Sequence, residues 1–229
     1  MFDHDQVRPA YPGESKRARV EAMFDRIAPR YDRLNQVLSL GIDKSWRRTL
    51  IREVLHAQPT RALDVATGTG DLALALSLAG VPEVVGVDIS QEMLAVARTK
   101  AAGVRFERAD CEALPFADGA FDVATVAFGV RNFELVRMLR PGGVLAILEL
   151  STPTSPIVRA AHGLYTRAVL PRVGAAVSGE RAAYEYLPAS VAAFPSGSRF
   201  VRVLEDAGAV DVRCVPLTLG IATLYLARG

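Results

Sequence analysis

The chain has 229 residues, 50% of them hydrophobic and 23% charged, which is enough for one α/β domain of ordinary size with additions. The formal net charge of +2 is too small to indicate a nucleic-acid partner, and no lysine or arginine run concentrates it. No uncharged apolar run reaches the roughly 18 residues of a membrane span and no signal-peptide pattern opens the chain, so we expect a cytoplasmic protein. Cys111 and Cys214 lack partners at metal-ligand spacing, which favours reduced, packed thiols and no metal site.

The spacing of apolar residues in the N-terminal quarter of the chain predicts helices. Met1 to Gly13 is polar and reads as an arm, while Ser15 to Ile27 has apolar residues at helical spacing. The stretch from Phe24 to Arg48 predicts two amphipathic helices broken near Gly41. We therefore place an N-terminal arm and helical region over residues 1–57.

Two interpretations of these helices stay open. In one, their apolar residues only pack as core and Trp46 is an anchor. In the other, they form a lid over a ligand site, and Tyr31, Asn35 and Trp46 face the ligand.

Residues 62–88 predict a strand, a glycine turn, a helix and a second strand. The apolar run Ala62 to Ala66 is typical of a buried parallel strand, and Gly68-Thr69-Gly70 make a turn. We expect Asp71 to cap the helix that follows and Gly80 to end it. The run Val84 to Val87 then ends in Asp88, so the stretch is typical of a nucleoside-binding βαβ unit.

The identity of the nucleoside is the open point of this unit. Glycines allow a ligand to approach the backbone, and a carboxylate at the tip of the second strand can accept both ribose hydroxyls. The pattern Gly68-x-Gly70-x-x-Ala73 also fits a dinucleotide. Asp71 argues against NAD, because a carboxylate at the helix N-terminus repels a pyrophosphate. S-adenosylmethionine carries a sulfonium and an ammonium group instead, and we favour it.

The second half of the chain predicts the rest of an α/β sheet. Ser90 is placed to cap a helix, and three further apolar runs predict strands at Val104 to Ala109, Phe121 to Phe128 and Val144 to Leu150. The segment near 151–188 reads as an insertion covering the substrate site of a domain over 58–229. A helix from Ser198 and a closing antiparallel pair, Val210 to Pro216 and Ile221 to Ala227, complete the pattern.

Several motifs resemble those of the ubiquinone/menaquinone biosynthesis C-methyltransferase family. The first is Tyr31-Asp32-x-Leu34-Asn35-x-x-Leu38-Ser39-x-x-x-Asp43-x-x-Trp46, in which the family usually has methionine for Leu34 and histidine for Asp43. Further similar stretches are Asp110-Cys111-Glu112-Ala113-Leu114-Pro115-Phe116, Gly129-Val130-Arg131-Asn132, RMLRPGGVLAILELS, Tyr184-Glu185-Tyr186-Leu187-Pro188 and Ala193-Phe194-Pro195.

This resemblance implies a class I S-adenosylmethionine-dependent methyltransferase. The implied fold is α/β and Rossmann-like, a seven-stranded sheet that is mostly parallel with a final antiparallel strand, plus an N-terminal helical lid. The implied reaction is C-methylation of a prenylated quinol, with a transient membrane contact and no nucleic acid.

The resemblance also implies roles for individual residues. Donor-binding residues are expected at Tyr31, Gly68, Thr69, Gly70, Asp88, Asp110 and Cys111. Asp110 would bind the adenine amino group. Arg131 would stabilise a phenolate and Asn132 would orient it. The general base stays open among His162, Tyr165, Glu185 and a water molecule.

Within the family, Ala127 and Gly220-Ile221-Ala222 favour demethylmenaquinol over the 2-methoxy-6-polyprenyl-benzoquinol of the ubiquinone pathway. The connection from Gly129 to Gly143 is short for a parallel crossover, which leaves room for a helix only over about Phe133 to Leu139. That shortening keeps open a donor-binding scaffold with little activity. An NAD-dependent oxidoreductase is a further alternative, disfavoured by Asp71 and the closing antiparallel pair.

Overall fold

The centre of the molecule is a seven-stranded sheet with the strand order β3-β2-β1-β4-β5-β7-β6, found in the part of the chain that a computed structural model describes. That part comprises residues 14–129, 135–170, 172–173, 186 and 189–229. The strands are β1 Arg61–Val65, β2 Glu83–Asp88, β3 Arg105–Arg108, β4 Phe121–Ala127, β5 Leu139–Leu150, β6 Val210–Leu217 and β7 Ala222–Arg228. Strands β1 to β5 pair in parallel, whereas β7 runs antiparallel to both β5 and β6. The predicted mixed sheet is confirmed.

Helices precede and alternate with these strands. They are α1 Lys16–Ile27, α2 Tyr31–Leu38, α3 Ile42–Leu55, α4 Asp71–Leu78, α5 Gln91–Lys100, α6 Pro156–Leu164 and α7 Ser198–Asp206. The predicted break near Gly41 is confirmed, because Gly41 has a φ of 75° between α2 and α3. Ser90 caps α5 as predicted, since its hydroxyl accepts a hydrogen bond from the Met93 amide at 3.1 Å.

Each face of the sheet has its own apolar core. On one face, the core contains side chains of α3, α4 and α5, such as Leu50 and Leu76, which are both fully buried. On the other face, Phe121, Met138 and Phe200 bring together β4, the β4–β5 connection and α7. Burial on both faces explains why the central strands read as continuous apolar runs.

The N-terminal helices have a separate core. Met23, Ile27 and Leu34 pack against Met93 of α5, and Leu170 and Tyr186 from the region of the predicted insertion join them. The Tyr165 hydroxyl also donates a hydrogen bond to the Leu38 carbonyl at 2.6 Å. The predicted lid and the predicted insertion are therefore packed against each other.

The connection from β4 to β5 differs from the prediction. Residues 135–138 form a turn rather than the end of a crossover helix, and Leu139 already belongs to β5. Gly119 and Phe121 amides donate to the carbonyls of Arg137 and Met138, at 3.1 and 3.0 Å. These bonds to the start of β4 satisfy the Arg137 and Met138 carbonyls without a helical turn.

Helix α6 lies in the segment predicted to cover the substrate site, and its apolar face is exposed. This helix has no buried residue, and Ile157 and Leu164 are 82% and 69% exposed. Helical spacing identified the face but could not say what lies opposite it. None of the helices in the described ranges is long and apolar enough to cross a bilayer.

Candidate active site

The glycine turn follows β1 directly and lies beside the end of β2. The Thr67 amide donates to the Val87 carbonyl at 2.9 Å, and the Gly70 amide donates to the Thr67 carbonyl at 2.9 Å. A Cβ on Gly68 would meet only the Tyr31 ring, at 3.9 Å. A Cβ on Gly70 would lie 2.9 Å from both Ala97 and Phe106. Gly68 therefore keeps the surface facing the lid free, while Gly70 allows the turn to pack closely on the domain.

Asp71 does not cap α4, contrary to the prediction. Gly70, with a φ of 79°, occupies the N-cap position and makes no side-chain bond. Asp71 is instead the first residue of the helix, where a carboxylate is stabilised by the helix dipole. Its side chain pairs with Lys100 at 2.6 Å and with Arg47 at 3.2 Å.

Asp88 lies at the tip of β2, where the sequence predicts a ribose ligand. One carboxylate oxygen accepts from the Gly68 amide at 2.8 Å and the other from the Ser90 amide at 2.9 Å. Burial raises the pKa of Asp88, although these backbone hydrogen bonds act in the opposite direction. Asp88 thus ties the glycine turn to β2 from the position predicted to receive the ribose hydroxyls.

Asp64 is a buried acid that our sequence analysis did not single out. Its carboxylate, 1% exposed, accepts hydrogen bonds from Thr67 at 2.6 Å and Thr125 at 2.7 Å. Burial raises the pKa of Asp64 to about 6. An acid inside the apolar run of β1 was the available signal. Asp64 joins β1, β4 and the turn just below the surface of the site.

A cavity of about 40 Å³ separates the glycine turn from the N-terminal helices. Its walls include Tyr31 and Asn35 from α2, Gly68 and Thr69 from the turn, and Phe128 after β4. This volume is close to that of a single water molecule. The cavity is therefore much smaller than a nucleoside, and Asp88, Asp110 and Cys111 are not among the described residues that line it.

Of the three lid side chains proposed to face a ligand, two line this cavity. Tyr31 and Asn35 do so, and burial raises the pKa of the Tyr31 phenol. Trp46 is 7% exposed, donates from Nε1 to the Thr218 hydroxyl at 2.7 Å and packs against the ring of Phe128. Trp46 is therefore an anchor, as in the alternative interpretation.

A charged cluster ties the lid to the glycine turn and to α5. It consists of Asp32, Asp43, Arg47, Asp71 and Lys100. Lys100 of α5 donates to Asp32 at 2.8 Å and to Asp71 at 2.6 Å, and the Thr69 hydroxyl donates to Asp32 at 2.5 Å. These contacts join parts of the chain that are far apart in sequence, which is why periodicity could not identify Lys100 or Arg47.

Asp110 and Cys111 follow β3, at the same end of the sheet as Asp88. One oxygen of Asp110 accepts from the Glu112 amide at 3.0 Å, and the carboxylate also pairs with Arg17 of α1. Cys111 is half-buried and forms no disulfide with a described residue. The adenine role of these two residues stays a prediction.

The segment predicted to border the acceptor begins where β4 ends. Phe128 has a φ of 61°, which is strained for an aromatic residue, and a Cβ on Gly129 would lie 2.6 Å from the Ala66 Cβ. Arg131 and Asn132 follow in the chain but lie outside the described residues, so their roles stay predictions.

The two candidate bases that the structure describes do not line the cavity. Neither His162 nor Tyr165 is among the described residues that line it, and Glu185 lies outside the described residues. Burial lowers the pKa of His162 and raises that of Tyr165.

The residues around the cavity suit S-adenosylmethionine better than a pyrophosphate cofactor. Asp71 places a carboxylate at the N-terminus of α4, and Asp32 and Asp88 add two more near the turn. Carboxylates attract a sulfonium and an ammonium but repel phosphates. The mixed sheet with its antiparallel β7 and this turn define a class I S-adenosylmethionine-dependent methyltransferase.

Comparison with known proteins gives the same class and adds the family. The model of the ubiE/COQ5 methyltransferase family matches residues 13–228, and the chain belongs to this family. It is 42% identical over 241 residues to a demethylmenaquinone methyltransferase of Bacteroides fragilis, an alignment that covers 99% of this chain and 98% of the relative. It is 47% identical over 228 residues to a ubiquinone/menaquinone biosynthesis C-methyltransferase UbiE of Syntrophotalea carbinolica, covering 93% of this chain and 94% of the relative. The methyl donor is S-adenosylmethionine.

Solved structures agree on the fold. A SAM-dependent methyltransferase of Thermotoga maritima matches with a TM-score of 0.60 at 18% identity, covering 90% of this chain and 97% of that one.

Proposed function

We propose that this protein methylates a ring carbon of a prenylated quinol, with demethylmenaquinol as the favoured acceptor. The observation that carries the proposal is the cavity between the lid and the glycine turn, walled by Tyr31, Asn35, Gly68 and Phe128. It lies at the carboxyl ends of β1 and β4, where open α/β sheets bind their ligands. The names of the relatives support a quinone-pathway acceptor.

The donor is assigned to the carboxyl ends of the first three strands. Asp88 would bind the ribose hydroxyls and Asp110 with Cys111 would bind the adenine. Thr69 and Gly70 would contact the methionine end, and Tyr31 would cover the donor from the lid. The burial of Asp88 and its two backbone hydrogen bonds support this assignment, because a fixed carboxylate binds without a large loss of side-chain entropy.

The acceptor is assigned to the region that follows β4. Phe128, which lines the cavity, offers aromatic surface for a ring, and Arg131 and Asn132 come a few residues later in the chain. Arg131 would stabilise the phenolate of a deprotonated quinol, and Asn132 would orient that oxygen.

The chemistry assigned to the protein is positioning and electrostatic stabilisation. When bound, S-adenosylmethionine would supply an electrophilic methyl group on its positively charged sulfur. The C–S bond would break as the quinol ring carbon bonds to the methyl group, so that S-adenosylhomocysteine leaves, and the ring carbon would then lose its proton to a base. Holding a phenolate beside Arg131 raises the electron density of the ring, and fixing both partners lowers the entropic part of the barrier.

Two sequence features support the menaquinone pathway over the ubiquinone pathway. Ala127 stands where ubiquinone-pathway members often have serine, and Gly220-Ile221-Ala222 is similar to menaquinone-type members. Ala127 lines the cavity, so a residue that differs between the two pathways lies in the site.

The exposed face of α6 supports a transient membrane contact for a prenylated substrate. Ile157 and Leu164 are exposed, Arg159 lies between them in sequence, and residues 151–173 contain no acid. Apolar side chains with basic neighbours favour the surface of an anionic bilayer. Pelleting with anionic liposomes is expected to retain the wild type and to retain less of Ile157→Ser/Leu164→Ser. Equal pelleting of both proteins, or of neither, would count against this contact.

A donor-binding scaffold with little activity is the second candidate. The short β4–β5 connection favours it, since the residues proposed to hold the acceptor come from this segment. A scaffold would bind donor and show no turnover.

One competition assay tests the proposal. The purified protein is given S-adenosylmethionine with equal amounts of reduced demethylmenaquinone and reduced 2-methoxy-6-polyprenyl-benzoquinone in detergent. Mass spectrometry is expected to find mainly methylated naphthoquinol. If the product is mainly methylated benzoquinol, the protein acts in the ubiquinone pathway instead. Donor binding without either product would support the scaffold.

A further inference from the structure

Arg47 is a largely buried cation on the cavity wall for which the proposed function has no role. It lies on α3, its side chain is 13% exposed, and it lines the cavity together with Gly68, Thr69 and Asp71. A buried charge is costly unless it is paired, so Arg47 needs partners. Those partners are Asp43 and Asp71.

Asp43 holds Arg47 from one helical turn away. Its carboxylate is 5% exposed, and one oxygen accepts from the Ser39 hydroxyl at 2.5 Å while the other pairs with Arg47. The Ser39 hydroxyl in turn accepts from the Gly41 amide at 3.1 Å. Asp43 is therefore fixed on both oxygens and fixes the guanidinium. The aspartate that replaces the family's usual histidine has a structural partner in this chain.

The geometry leaves the guanidinium able to bind a further anion. Its hydrogen bonds to Asp43 and to Asp71 both use Nη2, whereas a guanidinium also carries N–H donors on Nη1 and Nε. The pair with Asp71 is 3.2 Å long, and the Asp71 side chain is 40% exposed. Asp71 is thus the partner that can be exchanged.

The charges of the cluster match those of an amino-acid end. The charged cluster has three carboxylates, Asp32, Asp43 and Asp71, and two cations, Arg47 and Lys100, for a net charge of −1. S-adenosylmethionine has a sulfonium, an ammonium and a carboxylate, for a net charge of +1. The Arg47–Asp71 pair presents one cation and one anion side by side, as the α-carboxylate and α-ammonium of an amino acid require.

We propose that Arg47 binds the α-carboxylate of the donor, while Asp71 exchanges Arg47 for the donor's α-ammonium. Asp43 is then a positioning residue, which acts on the donor through Arg47. This inference rests on the proposed donor site and adds its methionine end. Arginine suits the role because its planar fork can meet both oxygens of a carboxylate.

Three nucleoside ligands separate this role from a structural one. S-adenosylhomocysteine has the whole amino-acid end, decarboxylated S-adenosylmethionine lacks the carboxylate, and 5′-methylthioadenosine lacks the amino-acid end. Calorimetry is run on the wild type, Arg47→Met, Arg47→Lys, Asp43→Asn and Arg48→Met. Arg48 is the matched control, since it is the next residue of α3 and is exposed.

The expected loss depends on the ligand. Arg47→Met should lower the affinity for S-adenosylhomocysteine about 10- to 100-fold, which is the range expected for losing hydrogen bonds to a charged group. Its affinities for the other two ligands should stay within about threefold of the wild type. Arg47→Lys and Asp43→Asn should give smaller losses, again confined to S-adenosylhomocysteine. Arg48→Met should match the wild type with all three ligands.

Other results would overturn the proposal. If Arg47→Met loses affinity equally for all three ligands, Arg47 only supports the structure of the glycine turn. If its affinity for S-adenosylhomocysteine is unchanged, Arg47 does not bind the donor carboxylate. Binding of 5′-methylthioadenosine shows that a variant retains a folded nucleoside site. If the wild type binds none of the three ligands, the donor site itself fails, and this failure is distinguishable from a wrong role for Arg47.

Discussion

The proposed donor side and the proposed acceptor side of the sheet are built differently. On the donor side, helices α4 and α5 fill the connections between β1, β2 and β3. Polar groups there have fixed partners, such as the two amides on Asp88 and the two hydroxyls on Asp64. On the acceptor side, the connection from β4 to β5 consists of residues 128–138 and contains no helix in its described part.

The two sides differ in how far their structure depends on contacts between residues that are distant in sequence. The donor is the same molecule whatever the acceptor, and the proposed donor site consists of short-range turns and strand tips. The proposed acceptor side combines the end of β4, the lid and the region after β5. Phe128 packs against Trp46 of the lid, and the lid contacts Tyr165 and Leu170 after β5, so these contacts span long separations in sequence. We therefore expect substitutions to separate donor binding from acceptor turnover.

The largest effect is expected from Asp88→Asn. The asparagine side chain lacks the negative charge of the carboxylate that accepts hydrogen bonds from the Gly68 and Ser90 backbone amides. It also lacks the carboxylate that is proposed to bind the ribose. Binding of S-adenosylhomocysteine should weaken by about 100-fold or more in calorimetry. Glu83→Gln, at the exposed opposite end of β2, is the control and should bind as the wild type does. Unchanged affinity in Asp88→Asn would remove the ribose assignment.

The acceptor side can be weakened by Met138→Ala. Met138 is fully buried in the β4–β5 connection and fills the sheet face that a crossover helix would otherwise cover. The free energy of unfolding should fall by about 2–5 kcal/mol in urea denaturation. The neighbouring Arg137→Ala should cost under about 1 kcal/mol, because its ion pair with Asp118 is exposed. A loss no larger than that of the control would show that the connection does not support the sheet.

The raised pKa of Asp64 should make the free energy of unfolding depend on pH. With a pKa of about 6 in the folded state against 3.8 unperturbed, the folded protein binds more protons between these values. The contribution of Asp64 to the free energy of unfolding therefore decreases as pH rises from about 4 to 6. Asp64→Asn should remove a pH-dependent difference of up to about 3 kcal/mol, measured by urea denaturation at pH 4 to 7. Parallel pH profiles for the two proteins would contradict this assignment.

The smallest effect is expected from Tyr165→Phe. It removes the hydrogen bond from Tyr165 to the Leu38 carbonyl, which joins the π-helix Tyr165–Val169 to the lid. The cost should be about 1 kcal/mol, seen as a several-fold higher KM for the quinol and an unchanged affinity for S-adenosylhomocysteine. A matching loss of donor affinity would mean that the two sides are not separable at this contact.

Much of the donor side could be predicted because its signals are local. The strand, turn and helix from Arg61 to Leu78 follow from an apolar run, two glycines and helical spacing within a few residues. Asp71 shows the limit of that reasoning. As a cap it would have bonded its own helix, but Gly70 takes the cap position and Asp71 pairs with Lys100 at the far end of α5.

The acceptor side could be predicted less well because its structure depends on distant partners. The exposure of Ile157 and Leu164 on α6 has no signal in the sequence, because it depends on what packs against the helix. The length of the β4–β5 connection was noticed, yet its hydrogen bonds to Gly119 and Phe121 have no signal in the sequence. Arg47 and Lys100 were missed for the same reason, since charge pairs between elements leave no local pattern.

The most direct test of the account follows the methyl group itself. The purified protein is incubated with S-adenosylmethionine carrying a deuterated methyl group and with chemically reduced demethylmenaquinone in detergent, and the product is analysed by mass spectrometry. We predict a menaquinol that carries the deuterated methyl group on its ring, made by a protein whose β4–β5 connection has no crossover helix in its described part. Calorimetric binding of the donor with no labelled product from either quinol type would contradict the account.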